Sequence, residues 1–131
     1  MNLIYLALTG LVVFFVVRML WLSRPGITPA AAHAAVKAGT AVLIDVREPA
    51  EWSGGVAQPA ALLSFRDLRG GHAQWEAFLR KNQGKRLILY CASGARSGSA
   101  AGELRRRGHD AVNLGGLARW NAAGLPVRRP N

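Results

Sequence analysis

The chain has a single cysteine, and its neighbours are unlike those of an inert thiol. Leu87-Ile88-Leu89-Tyr90 is a continuous apolar run with the length and flanks of a buried strand. Cys91 ends it, Ala92-Ser93-Gly94-Ala95 forms a loop of small residues, and Arg96-Ser97 lead into a helix. In parallel α/β sheets, ligands bind at the carboxyl ends of the strands. Small residues between Cys91 and Ser97 let backbone N–H groups converge on one point. Such a nest, backed by a helix N-terminus, stabilises an anion. Arg96 adds a positive charge. These features predict a depressed thiol pKa and a thiolate, the nucleophilic form. A cysteine at a strand end is most often a small buried hydrophobe. Burial alone would not require Gly94, Arg96 and Ser97 at those offsets, and they turn the reading toward function.

A second candidate pair is Asp45 and Arg47. Asp45 interrupts the apolar run Ala41–Val46, and a carboxylate inside a buried strand needs a partner. The pair either pins a loop or meets a substrate anion, with loop support the stronger reading. One cysteine makes neither an intramolecular disulfide nor a thiolate metal cage. His33, His72 and His109 lie far apart and lack metal-ligand spacing, so they read as surface histidines and no metal is expected. Trp120 reads as a packing residue.

The elements that must position these groups alternate. Thr28-Pro29 is an N-cap and N1 pair, followed by Ala-rich helix to Lys37 and a stop at Gly39. Strand Ala41–Val46 follows, then a loop from Arg47 to about Pro59. The spacing of Trp75, Phe78 and Leu79 predicts a helix over Gln74–Leu79. Strand Arg86–Tyr90 leads to the cysteine loop, and a helix over Ser97–Arg107 is closed by Gly108. A strand over Ala111–Leu114 and a short helix over Leu117–Ala123 end the series. Strands alternating with helices predict a parallel sheet covered on both faces, an α/β fold.

Cys91-x-x-Gly94-x-Arg96-Ser97 resembles the active-site loop of rhodanese domains. Leu43-Ile44-Asp45-Val46-Arg47-Glu48 with Glu51-Trp52 resembles that family's first block. Asn113-Leu114-Gly115-Gly116-Leu117, Trp120 and Gly124-Leu125-Pro126-Val127 resemble its ending. The likeness runs from about Gly26 to Val127, with the three blocks in order. It implies a five-stranded parallel sheet flanked by helices, and a Cys91 that cycles between thiolate and persulfide without a cofactor. It also implies that Ala92, Ser93, Gly94, Ala95, Arg96 and Ser97 cradle the substrate. The expected reaction moves sulfane sulfur from a small anionic donor such as thiosulfate to a thiophilic acceptor. One stretch departs: where the family carries Gly-His-Ile-Pro-Gly-Ala, this chain has Gly55-Val56-Ala57-Gln58-Pro59-Ala60, with no histidine. Two other readings stay open, phosphatase or arsenate reductase chemistry on the same fold, and an idle module that docks a membrane partner.

Residues 3–22 are almost wholly apolar, broken by Thr9, Gly10 and Arg18. Twenty helical residues span about 30 Å, the thickness of a bilayer core. Arg18 lies near one end, where it can snorkel, and Trp21 suits the interface. Nothing basic precedes Leu3, and Leu20-Trp21-Leu22 is a poor cleavage neighbourhood, which favours a retained anchor over a signal peptide. The expected division is an anchor over 1–22, a linker over 23–27 and a rhodanese-like domain over 28–128. Arg18 lies at the C-terminal end of the span and Arg24 and Lys37 beyond it, so the positive-inside rule places the domain on the cytoplasmic side of an inner membrane, single-pass. A lone thiol suits that reducing side. The net charge of +10 favours anionic partners. Nucleic acid is the weakest of these, since no binding module is present. Arg105-Arg106-Arg107 reads as the solvated end of a helix.

Overall fold

The computed structural model describes residues 2–71 and 73–130; His72 lies outside the described residues. Helix α1 (Leu3–Leu22) has no buried residue and is long and apolar enough to cross a membrane, a test that an N-terminal signal sequence also passes. Helix α2 (Pro29–Lys37) starts where Thr28 Oγ1 accepts the N–H of Ala31 at 3.2 Å and Pro29 needs no donor partner. Then come β1 (Ala41–Asp45), α3 (Pro49–Trp52), β2 (Val56–Ala57), β3 (Ala61–Leu62), α4 (Phe65–Gly70) and α5 (Ala73–Lys81). The chain closes with β4 (Arg86–Cys91), α6 (Ala95–Arg106), β5 (Ala111–Gly116), α7 (Leu117–Ala122) and β6 (Val127–Arg128).

Among the described residues the parallel sheet has four strands, ordered β3-β1-β4-β5, where the family resemblance implied five. β6 pairs antiparallel with β2 in a separate ribbon. Along β5 the linker lays one rung, Gly26 N–H to Asn113 O at 2.8 Å, because the N–H of Gly115, the next donor along that edge, is taken by Asn113 Oδ1 at 2.9 Å. The region expected as loop after Arg47 also contains α3 and β2, and the unanticipated α4 is capped by Ser64 Oγ, which accepts from Asp67 N at 3.1 Å.

Strand alternation sorts the core onto two faces. Ile44, Val46, Leu87, Leu89 and Cys91 pack with Leu68, Trp75, Ala100 and Leu104 on the α4–α6 side. Leu43, Ile88, Tyr90, Val112 and Leu114 pack with Ala32 and Trp120 on the α2–α7 side. Trp120 is wholly buried, donates to Pro126 O at 2.8 Å and stacks edge-on with His33, the packing role expected of it. Arg105, Arg106 and Arg107 lie exposed at the end of α6, the last two paired with Glu103.

Candidate active site

β4 is one of the two inner strands, buried from Leu87 to Cys91, and it delivers Cys91 to the carboxyl edge of the sheet. The chain turns there at Gly94, whose φ of 98° is a left-handed value that side chains rarely adopt. A Cβ at Gly94 would also stand 3.1 Å from Gly115 Cα. That turn starts α6 two residues before the expected Ser97.

The tight loop bends three donors onto one sulfur. Cys91 Sγ accepts from Gly94 N at 3.0 Å, Ser97 N at 3.5 Å and Ser97 Oγ at 3.3 Å. Burial acts first on this thiol and raises its pKa. The Ser97 hydroxyl and the N–H groups of Ser97, Gly94 and Ser93 outweigh it, and the net shift is downward. Cys91 and Ser97 are both wholly buried, Gly94 is buried, Ala95 and Arg96 are half-buried, and Ala92 and Ser93 face solvent.

Arg96 has a partner of its own in the structure. Its guanidinium does not bond to the sulfur; Nη1 and Nη2 grip Glu51 Oε1 and Oε2 at 2.6 and 2.9 Å. Hydrogen bonding from Arg96 holds the Glu51 carboxyl down at about 2, against the upward push of its partial burial. Glu51 Oε1 also accepts the Glu48 N–H at 3.2 Å, as the N3 residue of a capping box does. Glu51 was legible only as part of the first block, because its partner lies 45 positions away.

Asp45 and Arg47 form a loop clasp. Asp45 is wholly buried; Arg47 Nη2 donates to its Oδ2 at 2.8 Å, and Arg47 Nε reaches both carboxylate oxygens at 3.1 Å. Trp52 Nε1 donates to Asp45 Oδ1 at 3.2 Å. Arg47 then donates to Gly55 O at 2.8 Å and Glu51 O at 3.3 Å. The pair thus holds the segment that presents Glu51 to Arg96. Beyond it, the stretch without histidine is tied to the C-terminal segment, with Gln58 N–H on Pro126 O at 2.9 Å and Arg128 donating to Gln58 O and Ala60 O, each at 3.0 Å.

Asn113 went unnoticed as a site residue. Its Oδ1 accepts from Ser97 Oγ at 2.7 Å and Gly115 N at 2.9 Å, and its Nδ2 donates to Gly94 O at 3.1 Å. It braces the loop at its middle, Gly94, and at its far end, Ser97. An asparagine inside an otherwise apolar strand was the available signal. Among the described residues no group of His, Cys, Asp and Glu gathers that could hold a metal ion.

Residues 28–123, which contain Cys91 and its loop with Asp45, Arg47, Glu51 and Asn113, match the rhodanese-like domain family. The chain belongs to that family. A sulfurtransferase of Allochromatium vinosum is 33% identical over 91 residues, 68% of this chain and 79% of the relative. An uncharacterized protein of Synechocystis is 39% identical over 88 residues, 66% of this chain; the chain spans about half of that relative, 46%. The crystal structure of a rhodanese-related protein from Thermoplasma volcanium superimposes with a TM-score of 0.67 at 28% identity, over 82% of this chain and 100% of the other. Sulfurtransferase-type chemistry is thereby supported for this rhodanese-like domain at the level of the family.

Proposed function

We propose that this rhodanese-like domain transfers sulfane sulfur through a persulfide on Cys91. The observation that carries the reading is the convergence of Gly94 N–H, Ser97 N–H and the Ser97 hydroxyl on one buried sulfur. Cys91 thiolate attacks the outer sulfur of thiosulfate, the S–S bond of the donor breaks, and sulfite leaves with the electron pair. A thiophilic acceptor then takes the sulfur and returns the thiolate. Those donors meet the Cys91 thiolate both before it attacks and after the sulfur has left. With Cys91 covered, exposed Ala92 and Ser93 form the lip that yields to a donor.

Oxyanion chemistry fits less well. Only Ala92–Ala95 separate Cys91 from Arg96, which makes a small ring for a tetrahedral anion. Glu51 already takes one N–H from each terminal nitrogen of Arg96, which leaves fewer of its five donors for an oxyanion. In this reading α1 is a retained single-pass anchor, with the domain on the cytoplasmic side of an inner membrane, as the basic residues after the span favour.

The deciding experiment is the intact mass of the protein after thiosulfate. One added sulfur on Cys91, removed by reductant, is expected. No added mass, or the same gain in Cys91→Ser, would overturn the proposal.

A further inference from the structure

The end of α1 is seated on the domain. Gly98 lies inside α6, where glycine is about 1 kcal/mol worse than alanine. A Cβ at Gly98 would stand 1.8 Å from the carbonyl oxygen of Leu22, so only glycine lets the two backbones meet. One residue on, Ser23 O lies 3.0 Å from where a Cβ of Gly94 would be. Ser23 O and Arg24 O accept from Asn113 Nδ2 at 3.1 and 3.4 Å, the same amide that braces the cysteine loop. Above this contact a wedge of about 190 Å³ separates Phe15, Arg18, Met19 and Leu22 of α1 from Ala95 and Ser99 of α6.

These contacts fix an orientation. Cys91, Gly94 and the first turns of α6 lie at the carboxyl edge of the sheet, and the apolar helix ends at that same edge. Gly94 itself touches both sides, donating to Cys91 Sγ at 3.0 Å and abutting Ser23 O. A bilayer around α1 therefore lies over the active-site end of the domain, with Arg18 and Arg24 at headgroup level.

We infer that the sulfur partner is met at the bilayer surface, as a thiol carried by a membrane-bound molecule; this rests on the sulfurtransferase and anchor readings above. In the step, the partner's thiolate attacks the outer sulfur of the Cys91 persulfide. The bond from that sulfur to Cys91 breaks, and Cys91 leaves as thiolate with the electron pair. The persulfide forms as an anion, so its outer sulfur first takes a proton from water; that sulfur carries the proton with it and forms a new S–S bond on the partner. No external oxidant or reductant enters.

The test uses the full chain in phosphatidylcholine vesicles, charged with thiosulfate. Discharge of the persulfide to phosphatidylthioethanol in the same vesicle is compared with discharge to soluble 2-mercaptoethanol at equal total thiol. A preference of about tenfold or more for the lipid thiol is expected, since seating on the surface raises its effective concentration. Gly98→Ala unseats α1, and a second variant adds a ten-residue Gly-Ser insertion between Arg24 and Pro25 to that change. Each should cut the lipid-to-soluble ratio by about threefold or more; a ratio also cancels general damage to the loop. Equal rates with the two thiols in the unaltered chain would overturn the inference, as would a ratio that neither variant changes. Failure to charge with sulfur at all would instead remove the sulfurtransferase reading, and recovery of the chain free of vesicles would remove the anchor.

Discussion

Arg96 and Glu51 close a two-pronged ion pair, at 2.6 and 2.9 Å, that joins the first turn of α6 to α3. The arginine that follows the cysteine loop is thus spent on holding that loop in place. Its charge still acts over a distance, since the Cys91 thiolate contributes to raising the Arg96 pKa, after the hydrogen bond to Glu51 and against desolvation. We propose on these grounds that Arg96 positions the loop through Glu51.

Arg96→Ala and Glu51→Gln should each slow sulfur transfer by about tenfold, or ~1.4 kcal/mol on the barrier. The double variant should be no slower than the slower single one, because both changes break one pair. Steady-state rates and a double-mutant cycle measure this. Losses that multiply would show that Arg96 meets the substrate independently of Glu51.

The pair also sets a pH dependence. Glu51 titrates at about 2 in the fold against an ordinary 4.5, so its stabilisation is complete above pH 4.5 and is lost as pH falls toward 2. With the side chains 34% and 35% exposed, the amount is small, about 0.2–1 kcal/mol. Urea midpoints of the protein and of Glu51→Gln should differ at pH 6 and converge near pH 2. A constant difference would contradict the assignment.

Cys91 should be alkylated by iodoacetamide with a pH midpoint below that of a free cysteine, about 8.5. Ser97→Ala removes a hydroxyl donor and should move the midpoint upward. As the sole thiol, Cys91 gives the only alkylation signal. The depressed pKa also stabilises the fold, fully so above the unfolded value and progressively less as pH falls through the folded one. An unchanged midpoint in Ser97→Ala would mean that the hydroxyl donates its one proton to Asn113 Oδ1, its nearer neighbour at 2.7 Å, and not to the sulfur at 3.3 Å.

Asp45→Ala should destabilise the fold by about 3–5 kcal/mol, because it strands the buried Arg47 guanidinium. Denaturant unfolding of the full chain in detergent reads this directly. A loss under 1 kcal/mol would mean that the carbonyls of Glu51 and Gly55 suffice for Arg47.

Cys91→Ser should abolish sulfur transfer while leaving the circular dichroism spectrum unchanged, since serine nearly matches cysteine in volume. Transfer retained near the original rate would remove Cys91 from the reaction.

Local order decided what the sequence alone determined about this protein. Hydrophobic runs, caps and glycine stops reported α2, β1, β4 and α6 because each depends on residues within a few positions of one another. The cysteine loop was legible for the same reason: Cys91, Gly94 and Ser97 lie within seven residues and build their nest from their own backbone. Tertiary structure decided what those residues touch. Arg96 faces Glu51 across 45 positions, Asn113 reaches Gly94 across 19 and Ser23 across 90, and Gly98 accepts the end of α1. It also made Val127–Arg128 half of an antiparallel ribbon outside the four-stranded sheet. Such pairings depend on how packed elements bring distant backbone and side chains together, and no periodicity in the chain encodes that distance.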